Sequence, residues 1–252
     1  MVKPGFMCIA HRGASAYAPE NTFAAFDLAL ALGAQHLELD VRASADGYVV
    51  VLHDGTLNRT TSGSGPVGER TLAALMALDA GSWFDGRYAG ERIPVFRDVL
   101  GRYAGRAHLH VEIKCRDVGF SGRVVDEIRG CGAMGHVTVT AFDLETLTEV
   151  RDCSGELPTG WLVREVTEDV VAAAKRLCVA QLCPKSPGLT PELVRYLHRE
   201  GFTVRAWGVT SEEVMREVVR AGADGMTVNY PDVLLSYLEE HPEGEDSDWW
   251  CL

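Results

Sequence analysis

Short apolar runs recur along the chain and alternate with amphipathic stretches. The runs at residues 7–10, 36–41, 107–113, 137–140, 158–163, 179–183, 203–209 and 225–228 predict strands. Between most of them apolar positions follow helical spacing, at 19–32, 122–130, 144–151, 168–177, 191–200 and 212–221. Pro19 suits a first helical position and Gly33 a helix stop, while Thr190-Pro191-Glu192 and Thr210-Ser211-Glu212 are further start signals. Eight strands alternating with helices predict an α/β chain folded as a closed (β/α)8 barrel. A doubly wound open sheet is the alternative. Gly63-Ser64-Gly65 neither follows a strand nor opens a helix, so no dinucleotide fingerprint supports that alternative.

A ninth apolar run, 48–52, follows Asp46-Gly47, a strong hairpin signal. A parallel pairing would need a crossover of about a dozen residues, which is absent here. The run is therefore expected to return antiparallel from the end of the second strand, bringing His53 to the rim that carries Asp40. Residues 54–93 break the rhythm: they are rich in Gly, Ser, Thr and Arg, with a helical stretch at 71–78 and aromatic Trp83, Phe84 and Tyr88. They are expected to form an insertion over the barrel mouth, before the delayed second helix at 95–103. The expected organisation is one domain over residues 1–240 and an acidic, flexible tail over 241–252.

Chemistry-bearing residues gather at predicted strand ends: His11-Arg12, Glu38-Leu39-Asp40, His53-Asp54 and Glu112-Ile113-Lys114. Strand residues two apart share a face, so Glu38 joins Asp40 and Glu112 joins Lys114. Leu37, Leu39 and Val41 form the opposite, buried face, which turns both carboxylates inward. Three carboxylates in a dry pocket repel one another, and a hard divalent cation with oxygen ligands, Mg²⁺ or Ca²⁺, relieves that repulsion. For Glu112 and Lys114 a plain ion pair is the competing reading. Two rim histidines, His11 and His53, supply an acid and a base near neutrality. Arg12 offers a planar fork suited to phosphate, or a salt bridge to a site carboxylate. Metal, Arg, Lys and a His pair point to phosphoryl chemistry; a glycosidase needs two carboxyls and no cation cluster. Trp207 and Phe142 are candidate pocket walls or barrel-top filler. Capping explains Glu20-Asn21-Thr22 adequately, although Glu20 is also placed to orient His11 or Arg12. The other histidines are read as structural or surface residues.

The formal charge of −12 argues against general affinity for nucleic acid or anionic membrane. An anionic substrate must then be drawn by Arg12, Lys114 and the metal. No apolar run is long enough to span a bilayer and no signal-peptide pattern opens the chain, so a soluble cytoplasmic protein without a stable membrane anchor is expected. Cys8, Cys115, Cys131, Cys153, Cys178, Cys183 and Cys251 lack metal-site spacing and are expected to be buried small hydrophobes, with no catalytic thiol. The oligomeric state is left open.

The chain resembles the glycerophosphodiester phosphodiesterase family. The resemblance rests on His11-Arg12-Gly13, Pro19-Glu20-Asn21-Thr22, Glu38-Leu39-Asp40-Val41, Asp46-Gly47 through His53-Asp54, Asn58-Arg59-Thr60-Thr61, Gly81-Ser82-Trp83-Phe84, Arg92-Ile93-Pro94, Glu112-Ile113-Lys114, Trp207-Gly208-Val209 and Asp224-Gly225-Met226-Thr227. It covers nearly the whole chain. It implies a TIM barrel with a small inserted subdomain between the second strand and its helix. It implies metal ligands Glu38, Asp40 and Glu112, acid/base residues His11 and His53, and phosphate contacts from Arg12 and Lys114. The implied reaction is metal-dependent hydrolysis of a glycerophosphodiester to glycerol 3-phosphate and an alcohol, through a cyclic phosphate, with His11 as base and His53 as acid. Competing readings are a lysophospholipase-D-like activity, with Trp83, Phe84 and Tyr88 building an acyl groove, a lyase that stops at the cyclic product, and a silent metabolite-binding barrel. Two departures from the family pattern stand out: Ala141 where Ser is common, and Asn229 where Asp is frequent. Neither is expected to touch the metal ligands or the histidine pair.

Overall fold

The computed structural model describes residues 5–241, so the expected tail lies outside the described residues except for His241. The chain runs β1 (Met7–His11), α1 (Phe23–Ala31), β2 (His36–Ala43), β3 (Val49–Val51), α2 (Leu72–Met76), α3 (Phe96–Tyr103), β4 (His108–Ile113) and α4 (Phe120–Gly130). It continues through β5 (Val137–Ala141), α5 (Leu144–Cys153), β6 (Thr159–Val163), α6 (Glu168–Arg176), β7 (Gln181–Pro184), α7 (Pro191–Arg199), β8 (Thr203–Ala206), α8 (Glu212–Arg220), β9 (Gly225–Val228) and α9 (Pro231–Glu240). Eight of these strands pair in parallel around a ring, β1-β2-β4-β5-β6-β7-β8-β9, which closes where β9 pairs with β1. This is a TIM barrel. β3 stands outside the ring as the antiparallel return of β2, with Val41 opposite Val51. Gly47 takes the left-handed conformation at the turn, φ 84°, as the Asp46-Gly47 pair predicts.

The apolar core lies outside the ring. Leu37, Leu39 and Val41 of β2 and Leu109 and Val111 of β4 pack with Phe26, Phe96, Val99 and Val124 from the helices. A second belt joins Leu182, Val204 and Met226 to Val171, Val194, Met215 and Leu234. A small separate core under residues 54–93 combines Val50, Leu52, Leu57, Val67, Leu75, Ala80 and Ile93. It ties the insertion to β3 and so braces the segment that ends at His53. The lumen, by contrast, is polar: His110, Thr140, Gln181 and Arg205 are all buried.

Two element bounds differ from the sequence pattern for physical reasons. The first helix starts at Phe23 rather than Pro19, because Asn21 adopts φ 59° and Thr22 is the N-cap, accepting from the Ala25 amide. Pro19 sits in the preceding turn, where its carbonyl accepts from the Thr22 hydroxyl at 2.7 Å. The strand expected over 203–209 ends at Ala206; Gly208 turns the chain at φ 76°, and Trp207 keeps only a lone bridge to Lys185. The last helix, α9, was not marked by the patterns above. No helix among the described residues is long and apolar enough to cross a membrane.

Candidate active site

The site is built on three neighbouring strand ends. Pairing of β2 with β4 sets Asp40 opposite Glu112, and pairing of β1 with β2 sets His11 opposite Glu38. The turn after β1 is tight. Gly13 has φ 81°, and a Cβ there would lie 2.5 Å from the Ala25 carbonyl carbon. Arg12, also left-handed at φ 56°, donates its backbone N–H to Glu38 Oε2 at 3.0 Å. Asn21 closes the same turn: its amide donates to Asp40 Oδ2 at 2.8 Å, and its Oδ1 accepts from the Asp40 amide at 3.3 Å.

Glu38, Asp40 and Glu112 each offer an oxygen within 4.8 Å of the others, and all three are buried. Burial, with the charge of Asp40 beside them, pushes the carboxyls of Glu38 and Glu112 up to about 7. Burial pushes Asp40 the same way, but the ammonium of Lys114 and the guanidinium of Arg12, helped by His53 and Asn21, hold it below its ordinary value. Asp40 Oδ1 lacks a hydrogen bond and has only the Lys114 Nζ nearby, at 3.3 Å. Three converging hard oxygen donors, two of them raised toward neutrality by burial and by the third, fit a divalent cation. Lys114 pairs with Glu112 at 2.6 Å, and Arg12 spans Asp40 at 3.1 Å and Glu20 at 2.8 Å. Both alternatives raised from the sequence for these cations, an ion pair and a carboxylate salt bridge, are thus the arrangement seen.

The two histidines have different partners. His11 Nδ1 lies 2.7 Å from Asn229 Oδ1, and its Nε2 is 4.0 Å from Glu38 Oε2. An amide oxygen only accepts, so Nδ1 carries the proton and Nε2 presents a lone pair. Desolvation and the Arg12 guanidinium push this imidazole down to about 4, against the opposing pull of Asp40 and Asn229. His53 Nδ1 lies 2.7 Å from the Asp54 carboxylate. Burial lowers its pKa, while Asp40 and the bond from Asp54 resist. Its place is fixed from two sides: Leu52 N–H donates to Asp40 O at 3.0 Å, and Arg42 Nε donates to His53 O at 2.8 Å. Arg59, from the insertion, grips Asp54 at 2.8 and 3.0 Å and Glu20 at 2.7 and 2.8 Å. A chain of charges therefore runs His53–Asp54–Arg59–Glu20–Arg12–Asp40.

His11, Arg12, Glu38, His53, Glu112, Lys114, Phe142 and Trp207 line one cavity of about 300 Å³; Asp40, fully buried, lies behind Arg12 and Lys114. Phe142 and Trp207 meet edge to face at 4.9 Å, and the Trp207 indole N–H donates to Val163 O at 3.1 Å. Trp83, Phe84 and Tyr88 do not line this cavity. They pack in series at 5.6 and 5.8 Å, anchored by Trp83 Nε1 to Ala80 O and Tyr88 OH to Tyr17 O.

Asn229 corrects one expectation, since it touches His11 directly. The cysteines correct another. Cys8 and Cys183 are buried, but Cys153 and Cys178 are exposed and Cys115 and Cys131 lie between; Cys251 falls outside the described residues. Burial pushes the Cys115 thiol above its ordinary value, away from reactivity. Residues whose part was missed are Asn21, Arg59 and Arg205, the last reaching the cavity floor from β8. For Asn21 and Arg59 the motifs around them were the available signal. For Arg205 the signal was a cation at an inward position of a strand.

Fold and site together define a barrel enzyme with its chemistry at the C-terminal strand ends. The model of the glycerophosphoryl diester phosphodiesterase family matches residues 11–233. A glycerophosphodiester phosphodiesterase of Caldanaerobacter subterraneus is 34% identical over 238 residues, covering 93% of this chain and 98% of that one. Among solved structures, a glycerophosphodiester phosphodiesterase from Agrobacterium tumefaciens is 31% identical with a TM-score of 0.80, covering 90% of this chain and 98% of that one. An Oleispira antarctica phosphodiesterase in complex with the product sn-glycerol-3-phosphate is 28% identical with a TM-score of 0.84, covering 92% and 96%. The chain belongs to the glycerophosphodiester phosphodiesterase family.

Proposed function

We propose that this enzyme hydrolyses glycerophosphodiesters to glycerol 3-phosphate and an alcohol, with His11 as base and His53 as acid. The observation that carries this reading is one small cavity lined by Glu38, Glu112 and two oppositely partnered histidines, with Asp40 clustered against the two glutamates behind it. Glu38, Asp40 and Glu112 would hold one divalent cation, Mg²⁺ or Ca²⁺, which when bound neutralises phosphate charge and acidifies a hydroxyl. Arg12 and Lys114 contact phosphate oxygens. His11 Nε2 accepts the proton of the glycerol 2-hydroxyl as that oxygen bonds to phosphorus. The bond to the alcohol oxygen breaks, and His53 Nε2 delivers its proton. Water then opens the cyclic phosphate with the proton roles reversed. The partner difference supports the assignment: an amide leaves His11 neutral, whereas the Asp54 carboxylate favours the imidazolium of His53. The domain is taken as residues 1–240 with the insertion at 54–93. Six unbridged cysteines fit the reducing cytoplasm.

The test is release of glycerol 3-phosphate from glycerophosphoglycerol, with EDTA and then with added Mg²⁺ or Ca²⁺. Turnover that EDTA abolishes and metal restores is expected; metal-independent turnover would remove the roles given to the three carboxylates. Phosphorus NMR during turnover distinguishes hydrolysis from arrest at the cyclic product. Substituting His11→Ala or His53→Ala is expected to lower kcat by about two to four powers of ten. A loss under tenfold for both variants would withdraw the acid–base pair.

A further inference from the structure

We propose that the preferred leaving alcohol carries negative charge and that Arg164 and Lys185 select it. This rests on the reaction proposed above and names its substrate class. Arg164 and Lys185 directly follow β6 and β7, so both stand on the rim where the strands end. Arg164 Cζ lies 5.9 Å from the centre of the Phe142 ring, and Lys185 Nζ lies 5.9 Å from that of Trp207. Lys114 Nζ approaches the Phe142 ring as well, at 5.8 Å. Phe142 and Trp207 form the aromatic part of the cavity, and they are held in place. Trp161 Nε1 donates to Phe142 O at 3.1 Å, and Trp207 Nε1 donates to Val163 O at 3.1 Å.

A quaternary ammonium head group binds by laying its charge on aromatic faces. Here protein cations already stand within 6 Å of both rings, so a choline head meets repulsion where it would need attraction. An alcohol bearing phosphate or carboxylate meets the reverse field. Of the neighbouring cations, Arg116 pairs with Asp143 at 2.6 Å and Lys114 and Arg12 pair with the site carboxylates, while Arg205 is buried at the base of the cavity. Among the described residues Arg164 and Lys185 make no ion pair, and both are exposed. In a chain of net charge −12, two unmatched cations over the substrate aromatics give the cavity entrance a local sign opposite to that of the whole molecule.

The experiment compares kcat/KM for glycerophosphocholine, neutral glycerophosphoglycerol and anionic glycerophosphoinositol 4-phosphate, in the metal-loaded full chain. At low ionic strength the anionic substrate is expected to exceed the choline substrate by about tenfold, a ratio that shrinks as KCl is added. In the double variant Arg164→Gln, Lys185→Gln the ratio is expected to fall by about tenfold, with thermal melting reporting the fold. Choline turnover equal to or above that of the anionic substrate, or an unchanged ratio in the double variant, would overturn the selection. Turnover of glycerophosphoglycerol in the same preparation would then leave the reaction itself standing. Turnover of none of the three would remove both.

Discussion

Asn229 shows how one atom sets the state of an imidazole. Its amide oxygen fixes the His11 proton on Nδ1 without adding charge, while burial and the Arg12 guanidinium push the imidazole down to about 4. A base must be neutral to act, so protonation of His11 contributes an acid limb to kcat/KM. Substituting Asn229→Asp places a carboxylate there, favours the imidazolium and raises the His11 pKa. The acid limb is expected to move to higher pH; a pH profile of kcat/KM checks this, and an unmoved limb would detach His11 from it. Asn21 acts on the proposed metal ligands in the same spirit. Both of its bonds end on Asp40, so Asn21→Leu is expected to weaken metal affinity about 10- to 100-fold, measured by calorimetric titration. The clustering of the three carboxylates was legible in the sequence because strand alternation is local. The contact between His11 and Asn229 spans most of the chain, and no local pattern reports it.

At the level of elements, the hairpin was readable because Asp46-Gly47 determines its own backbone. The start of α1 was misjudged because proline's fixed φ suits a turn as well as a first helical residue. The overrun of β8 has a similar cause: the apolar pattern continues through Trp207 and Val209 although the backbone turns at Gly208. Gly13 is where an element boundary and the site share one constraint. Its positive φ and the 2.5 Å approach to Ala25 leave no room for a Cβ. Gly13→Ala is expected to destabilise the fold by about 2 kcal/mol or more, read from urea denaturation. A cost below about 0.5 kcal/mol would mean that the turn relaxes freely.

For the whole molecule, alternation of strand and helix foretold closure into a barrel. The polar lumen was not foretold, because no single strand shows what its inward residues meet across the ring. That lumen has a consequence for stability. Glu38 and Glu112 have folded-state pKa values raised to about 7, above their values in an unfolded chain. Between about pH 4.5 and 7 these two groups bind more protons in the folded state and lend the metal-free protein stability that is lost as pH rises through that window, while the imidazoles of His11, His36, His108 and His110, held below their ordinary value by burial, act in the opposite sense. Divalent cation replaces those protons. The increment in melting temperature that added Mg²⁺ or Ca²⁺ gives over EDTA is expected to grow from pH 5 to pH 8. An increment that is flat or shrinks with rising pH would contradict the proposed ligands.

The ring closes through β1 and β9, the first and last strands of the barrel, and the residue just beyond β9 is the one that orients His11. During synthesis Asn229 emerges 117 residues after Glu112, the last of the three carboxylates. A nascent chain that has not yet made β9 thus carries the carboxylate cluster but lacks the partner of His11, so the strand whose pairing closes the barrel is also the one that completes the site.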